Sequence, residues 1–143
     1  YKGAKKVFIA FGNTLDNIKE KYKSKFVVTG NPLREEFYEK DKKEERKKLD
    51  IKEDEKVILV IGGSLGAKNI NDAIVKKWKT ISEDKRIRLF WATGKDNYEA
   101  STYKIRDFGT AVVKPYFENV PELMAAADIV ICRAGASTIS ELI

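Results

Sequence analysis

Four apolar runs of strand length, each followed by a helix-like stretch, most constrain the fold of this chain. The runs occupy residues 56–61, 87–92, 110–113 and 129–132, and the helical patterns begin near residues 67, 97, 120 and 137. Strands that alternate with helices in this way lie parallel to one another, with the helices packed on the sheet. The sequence therefore predicts an α/β fold with a parallel sheet and helices on both faces.

The first part of the chain alternates less regularly. Strand-like runs lie at residues 7–11 and 26–28, a short charged helix is expected over residues 15–22, and Pro32 follows the end of the second strand. From residue 33 the pattern is helical through residue 49. Because the pattern stops at Ile143, early in its last helix, we expect the chain to be a piece of a longer protein, cut at both ends.

Two glycine turns of the same design follow two of the strands. One covers residues 62–67 (GGSLGA) and the other residues 133–138 (RAGAST). Each leads into a helix, and the start of a helix presents unpaired N–H groups and the positive end of the helix dipole. Glycine also lets a phosphate approach the backbone closely. Two such turns in one sheet predict a ligand with a diphosphate, hence a nucleotide or a nucleotide-sugar.

Two common nucleotide motifs do not match these turns. A dinucleotide fingerprint has the spacing G-x-G-x-x-G and an acid after the next strand, whereas here the spacing is GGxxG and the next strand ends in residues 91–93 (WAT). A P-loop needs a second glycine upstream and a hydroxyl after its lysine, and residues 94–96 (GKD) have neither. The sequence therefore disfavours NAD and ATP.

An acidic residue follows the second glycine turn. Glu141 stands four residues after Ser137, in the first turns of the predicted helix. Its carboxylate could accept hydrogen bonds from ribose hydroxyls, or it could take part in a helix cap with Ser137 or Thr138. Spacing alone favours neither interpretation.

Composition excludes several other classes of protein. The chain has one cysteine and no histidine, so it offers no disulfide framework, no zinc cluster and no histidine base. No apolar run approaches the roughly 20 residues of a membrane span, and no signal peptide is evident. The net charge of +6 reflects lysine-rich runs, which form solvated helix faces or attract anionic lipid or a phosphorylated ligand. Nucleic acid is not expected, because aromatic residues are not interleaved with these runs.

Four motifs occur in order across nearly the whole chain: residues 29–34 (TGNPLR), 62–67 (GGSLGA), 93–95 (TGK) and 128–141 (DIVICRAGASTISE). Together they resemble the bacterial MurG family, the UDP-N-acetylglucosamine–N-acetylmuramyl-(pentapeptide) pyrophosphoryl-undecaprenol N-acetylglucosaminyltransferases. The resemblance implies a type B glycosyltransferase, in which two Rossmann-like domains face a cleft. Residues 1–34 would be the end of the N-terminal acceptor domain and the hinge, and residues 35–143 an incomplete C-terminal UDP-sugar-binding domain.

The resemblance also implies an activity. The complete enzyme would move N-acetylglucosamine from UDP-GlcNAc to a lipid-linked muramyl-pentapeptide in peptidoglycan synthesis, with inversion and without a metal or cofactor. It would work in the cytoplasm as a peripheral protein on the inner face of the cell membrane, and its partners would be UDP-GlcNAc, the lipid-linked acceptor and an anionic membrane surface. The catalytic base is expected outside this chain, so the chain alone is expected to be inactive.

The resemblance assigns substrate-binding roles motif by motif. The glycine turn with Ser64 would contact the diphosphate, Arg34 the nucleotide and Glu141 the ribose. Backbone groups at Phe117 would read uracil, and the start of the last helix would line the diphosphate and the sugar. The expected substrate-binding residues are Arg34, Gly63, Ser64, Phe117, Ala136, Ser137, Thr138, Ile139, Ser140 and Glu141.

The chain departs from the family at the end of one strand. Family members often carry His-Gln before Thr/Ser-Gly-Lys, and here the pair is Trp91-Ala92. Trp91 could be a core residue or a platform for a sugar, whereas Trp78 is expected in the core. Two alternative functions remain open: another type B UDP-sugar transferase, such as a diacylglycerol glycosyltransferase, and a non-catalytic module that binds a nucleotide-sugar or NAD.

Overall fold

A computed structural model describes residues 1–63, 65–105 and 109–143. These residues form two compact units, one of Glu36–Ala134 and one of Tyr1–Glu35 with Gly135–Ile143. The elements in chain order are β1 (Val7–Ile9), α1 (Glu20–Lys23), β2 (Phe26–Val28), α2 (Lys42–Lys48), β3 (Lys56–Ile61), α3 (Lys68–Glu83), β4 (Ile87–Ala92), α4 (Tyr98–Lys104), β5 (Ala111–Lys114), α5 (Val120–Ala126), β6 (Ile129–Cys132) and α6 (Ala136–Leu142). Short 3₁₀ turns lie at Gly12–Asn17, Glu35–Phe37 and Lys95–Asn97. None of the helices in the described ranges is long and apolar enough to cross a bilayer.

The unit Glu36–Ala134 is built on a parallel sheet with the strand order β5-β4-β3-β6. All three neighbouring pairs of strands are parallel. This arrangement confirms the α/β fold that the alternation predicts. In the other unit, β1 and β2 form a parallel pair.

The sheet is covered on both faces because its strands alternate between two apolar cores. Val57 and Leu59 of β3 pack in one core with Leu123 of α5. Val60, which points to the opposite face of the same strand, packs in the other core with Ile74 of α3. Helices therefore lie on both faces of the sheet, as predicted.

The prediction of one long helix over residues 33–49 is wrong. The structure has the 3₁₀ turn Glu35–Phe37 and then α2, which begins only at Lys42. The Asp41 carboxylate accepts hydrogen bonds from the backbone N–H groups of Lys43 and Glu44, at 2.9 and 3.0 Å. An aspartate in this position starts a helix, so its N-cap geometry overrides the helical periodicity upstream.

Other boundaries shift by smaller amounts. The charged helix expected over residues 15–22 is divided between the 3₁₀ turn Gly12–Asn17 and α1. The helix expected to end at Trp78 continues to Glu83, because Ile81 still packs against the core on that face.

Asp128 joins three elements at the amino-terminal edge of the sheet. Its carboxylate accepts hydrogen bonds from Lys42 Nζ at 2.7 Å, Arg46 Nη1 at 3.1 Å and the Val57 backbone N–H at 2.8 Å. Partial burial opposes ionisation, but Lys42, the Val57 N–H and Arg46 outweigh it and lower the pKa of Asp128 from 3.8 to about 2. The ionised carboxylate thus ties α2 to β3 and to the start of β6.

We expect this carboxylate to make stability depend on pH in acid. Because the folded pKa lies below the unfolded one, the contribution is complete above about pH 4 and is lost as the pH falls through about 2. With a discount for solvent screening at a side chain 25% exposed, it amounts to about 1–2 kcal/mol. Urea unfolding between pH 2 and 6 should show a smaller pH dependence in Asp128→Asn. Asp84 is the control: Arg86, two residues away, lowers the pKa of Asp84 to about 2 as well, but the unfolded chain can keep so local a pair, so an equal effect in Asp84→Asn would contradict the role of Asp128.

Candidate functional site

The order of the strands places a topological switch point between β3 and β6. The chain runs from β3 outward through β4 to β5 and then returns to the other side of β3 as β6. The last residues of β3 and β6, Ile61 and Cys132, are register partners. In open α/β sheets, ligands bind at such a point, outside the carboxyl ends of the strands. Both predicted glycine turns begin here.

The turn after β3 has a backbone that only glycine allows. Gly62 is buried, and a Cβ there would lie 2.3 Å from the Ala67 nitrogen. Gly63 and Gly66 have φ values of 83° and 76°, in the left-handed region that favours glycine. The Gly66 N–H donates to the Gly63 carbonyl at 2.9 Å and closes the turn.

The same turn packs directly on the loop after β4. A Cβ on Gly66 would lie 2.1 Å from the Thr93 carbonyl oxygen, and a Cβ on Gly94 would lie 2.5 Å from the Gly66 nitrogen. Backbone therefore meets backbone at this contact, and neither glycine has room for a side chain. The glycines predicted to admit a phosphate also serve the packing of two neighbouring loops.

The start of α3 presents N–H groups at the switch point. Its N-cap is Ala67, which has no side chain to accept a hydrogen bond, and its first turn has no acidic residue. The N–H groups of the first turn thus receive no cap from the Ala67 side chain, and together with the positive end of the dipole of this 16-residue helix they suit an anion. Together with the closed glycine turn, this arrangement can bind a phosphate through backbone atoms.

Arg133 adds a cation that the sequence analysis did not assign. It directly follows β6 and is exposed. A Cβ on Gly63 would lie 3.1 Å from Arg133 Nη2, so the guanidinium lies over the glycine turn. The sequence did contain a signal for Arg133, because it is the first residue of the second glycine turn. Among the described residues, no group of three or more cysteine or carboxylate side chains is placed to hold a metal ion.

Phe117, expected at the nucleobase, has a buried side chain. It is 3% exposed, and its ring packs edge-on against Phe90 with 6.1 Å between the centroids. The ring belongs to the core, so only the backbone at this position could face a ligand. The loop around it borders an open cavity of about 600 Å³, lined by Lys114, Pro115, Tyr116, Glu118 and Asn119.

Trp91 is not a platform for a sugar. It is 0% exposed, and its indole Nε1 donates to Asn71 Oδ1 at 2.9 Å. The core interpretation is therefore confirmed for Trp91, as it is for Trp78, which is 9% exposed. Asn71 has no assigned role from the sequence, although residues 71, 74 and 78 are spaced to share one face of α3.

The remaining predicted residues lie in the compact unit of Tyr1–Glu35 with Gly135–Ile143, except Ser64, which is not among the described residues. Helix α6 forms as expected and has Gly135 as its N-cap. Neither Ser137 nor Thr138 thus occupies the cap position, and the capping interpretation of these hydroxyls is wrong. The Ser140 hydroxyl donates to the Ala136 carbonyl at 2.9 Å.

Solvent exposure differs among these residues. Glu141 and Thr138 are half-buried, while Arg34, Ala136, Ser137 and Ile139 are exposed. Ser64 lies outside the described residues. Their contacts with substrate stay predictions.

The sequence that forms this fold and this switch point belongs to a known class of enzymes, the glycosyltransferases. Residues 57–143 match the model of the glycosyltransferase family 28 C-terminal domain, so the chain is a member of that family. The match includes both glycine turns and the whole four-stranded sheet except Lys56, the first residue of β3.

Similar proteins from different bacteria share the same name. The chain is 48% identical over its full length to the UDP-N-acetylglucosamine–N-acetylmuramyl-(pentapeptide) pyrophosphoryl-undecaprenol N-acetylglucosamine transferase of Fusobacterium nucleatum, of which it covers 40%. It is 42% identical to the protein of the same name from Acetivibrio thermocellus, over 86% of this chain and 35% of that protein. The crystal structure of Acinetobacter baumannii MurG matches with a TM-score of 0.61 and 29% identity, over 99% of this chain and 36% of the other. The chain thus spans about 40% or less of these relatives.

Proposed function

We propose that this chain is the donor-binding part of an enzyme that transfers N-acetylglucosamine from UDP-GlcNAc to a lipid-linked muramyl-pentapeptide. Membership of family 28 and the names of the relatives support the proposal. The acceptor domain and the catalytic base would belong to the rest of a protein of the relatives' length.

The observation that carries this proposal is the geometry of the switch point. The closed glycine turn, the uncapped start of α3 and the Arg133 guanidinium converge there. Backbone N–H groups and a forked cation suit the paired anionic groups of a diphosphate. The position is also the one at which α/β sheets bind nucleotides.

The same groups would act on the reaction as well as on binding. When the bond between the sugar and the diphosphate breaks, negative charge develops on the departing UDP. Fixed N–H groups and a guanidinium already in place would stabilise that charge without reorganising. A metal-independent, inverting transfer needs such a site, because the leaving group must be neutralised by the protein.

We assign the other substrate contacts by motif, as part of the same proposal. Ser64 would share the diphosphate with the glycine turn, Arg34 would contact the nucleotide, and Glu141 would accept hydrogen bonds from the ribose. The open cavity beside Phe117 supports a nucleobase site read by backbone groups.

A peripheral location on the cytoplasmic face of the membrane is a further part of the proposal. A lipid-linked acceptor lies in the bilayer, and the net charge of +6 would favour an anionic surface. Exposed lysines of α2 and of the segment around α1 supply part of this charge.

Calorimetric titration tests the proposed function. We expect the full-length protein that carries this chain to bind UDP-GlcNAc and UDP, and to bind NAD not at all, because the strand end at residues 91–93 offers no acid for its ribose. UDP-galactose serves as the matched sugar control. No binding of UDP-GlcNAc at millimolar concentration would overturn the proposal. Preference for UDP-galactose would instead indicate a different type B transferase.

A further inference from the structure

The buried side chain of Asn71 connects α3 to the end of β4. Its Nδ2 donates to the Thr93 carbonyl at 2.8 Å, and its Oδ1 accepts from Trp91 Nε1 at 2.9 Å. Asn71 is 3% exposed, and Trp91 and Thr93 are 0% exposed. Since both ends of the amide are used, its orientation is fixed. We call these three residues the Asn71 clamp.

The Asn71 clamp holds the Thr93 carbonyl oxygen, against which the glycine turn after β3 packs. The Thr93 carbonyl oxygen that Asn71 holds is the same atom that a Cβ on Gly66 would approach to 2.1 Å. Asn71 also lies in the first turns of α3, where its backbone N–H donates to the Ala67 carbonyl at 2.9 Å. The clamp therefore joins the two parts of the anion site, the glycine turn and the start of α3, to one rigid strand end.

We propose that Asn71 is a positioning residue for the donor diphosphate, and that Trp91 holds Asn71 in place. This inference rests on the proposed function, because it gives the clamp a role in binding UDP. Without the Trp91 N–H, the buried Asn71 oxygen has no donor, and the amide is free to turn away from Thr93. The carbonyl beneath Gly66 then loses its partner, and the turn shifts relative to the start of α3.

Two substitutions at Trp91 separate positioning from packing. Phenylalanine keeps more of the apolar volume but has no N–H, whereas histidine is smaller and keeps a ring N–H donor. If Trp91 only packs the core, Trp91→Phe should be more stable than Trp91→His and should also bind UDP more tightly. If Trp91 positions Asn71, Trp91→His should instead bind UDP more tightly than Trp91→Phe. We expect UDP to bind about tenfold more weakly to Trp91→Phe and within about threefold of the parent to Trp91→His.

The experiment measures the Kd for UDP by calorimetry and the Tm by circular dichroism in the full-length protein, well below the Tm of each variant. Asn71→Leu should weaken UDP binding at least as much as Trp91→Phe. The control is Trp78→Phe. Trp78 is a buried tryptophan on the face of α3 that also carries Asn71, so this variant should lose stability but keep its affinity for UDP. Parental affinity in Trp91→Phe, or affinities that follow the Tm values, would overturn the role of the clamp. If the parent protein itself does not bind UDP, the proposed function fails and the positioning role falls with it.

Discussion

Replacing Gly66 with alanine is expected to cost the unit Glu36–Ala134 about 3–5 kcal/mol of its free energy of unfolding. Part of the cost is backbone strain, because Gly66 has a φ of 76° and a left-handed residue with a Cβ costs about 1–2 kcal/mol. The rest is a collision, because the new Cβ would lie 2.1 Å from the Thr93 carbonyl oxygen. Neither backbone can move away without disturbing β4 or the start of α3. Such a loss is a large part of the roughly 5–15 kcal/mol that holds a typical domain folded.

Urea unfolding monitored by tryptophan fluorescence measures this effect. Both tryptophans of the chain lie in the unit Glu36–Ala134, so their emission follows its unfolding. Gly109→Ala is the matched control: its φ is 49°, and a Cβ there would lie 3.9 Å from Lys85 Nζ, in ordinary contact. It should cost about 1 kcal/mol, the strain alone. Equal losses at Gly66 and Gly109 would show that the contact between the two loops does not constrain the turn.

The parts of the fold that depend on periodicity could be predicted from the sequence. Each of β3, β4, β5 and β6 lies within a residue of its apolar run. Apolar runs and helical spacing report burial directly, which is why the alternation of strands and helices was sufficient for the sheet. The helix start at Lys42 could not be found in this way, because a single side-chain cap at Asp41 decides it.

The candidate site was predictable only in its backbone. The glycines of the turn after β3 indicate a close approach, since a Cβ on Gly62 or Gly66 would meet backbone atoms and the φ values of Gly63 and Gly66 favour glycine. The side chains that complete the turn come from elsewhere in the sequence: Asn71 reaches Thr93 across 22 positions, and Arg133 lies over Gly63. Such contacts follow from strand order, which the pattern of one segment does not contain. A polar residue on the buried face of α3 was the available signal for Asn71.

Removal of the Arg133 guanidinium is expected to have the largest effect on donor binding. Arg133→Ala should weaken UDP binding by about 10- to 100-fold, because a hydrogen bond to a charged group contributes about 1.5–3 kcal/mol. Arg133→Lys should recover part of the affinity, since lysine keeps the charge but not the fork that matches a phosphate. The fold should survive both changes, because Arg133 is exposed. Titration of UDP into the full-length variants, at two ionic strengths, measures the loss.

Arg86→Ala is the control for charge alone. Arg86 immediately precedes β4, at the amino-terminal edge of the sheet, and pairs with Asp84 at 2.9 Å. It carries the same charge as Arg133 but lies at the opposite edge from the glycine turns. If affinity depended on the net charge of the domain, both alanine variants would lose it equally and high salt would erase the difference from the parent. If the Arg133 guanidinium contacts the diphosphate, only Arg133→Ala loses affinity, and the loss persists in salt because the contact is short. Parental affinity in Arg133→Ala would remove this residue from the site and leave the glycine turn and the start of α3 as the anion-binding groups.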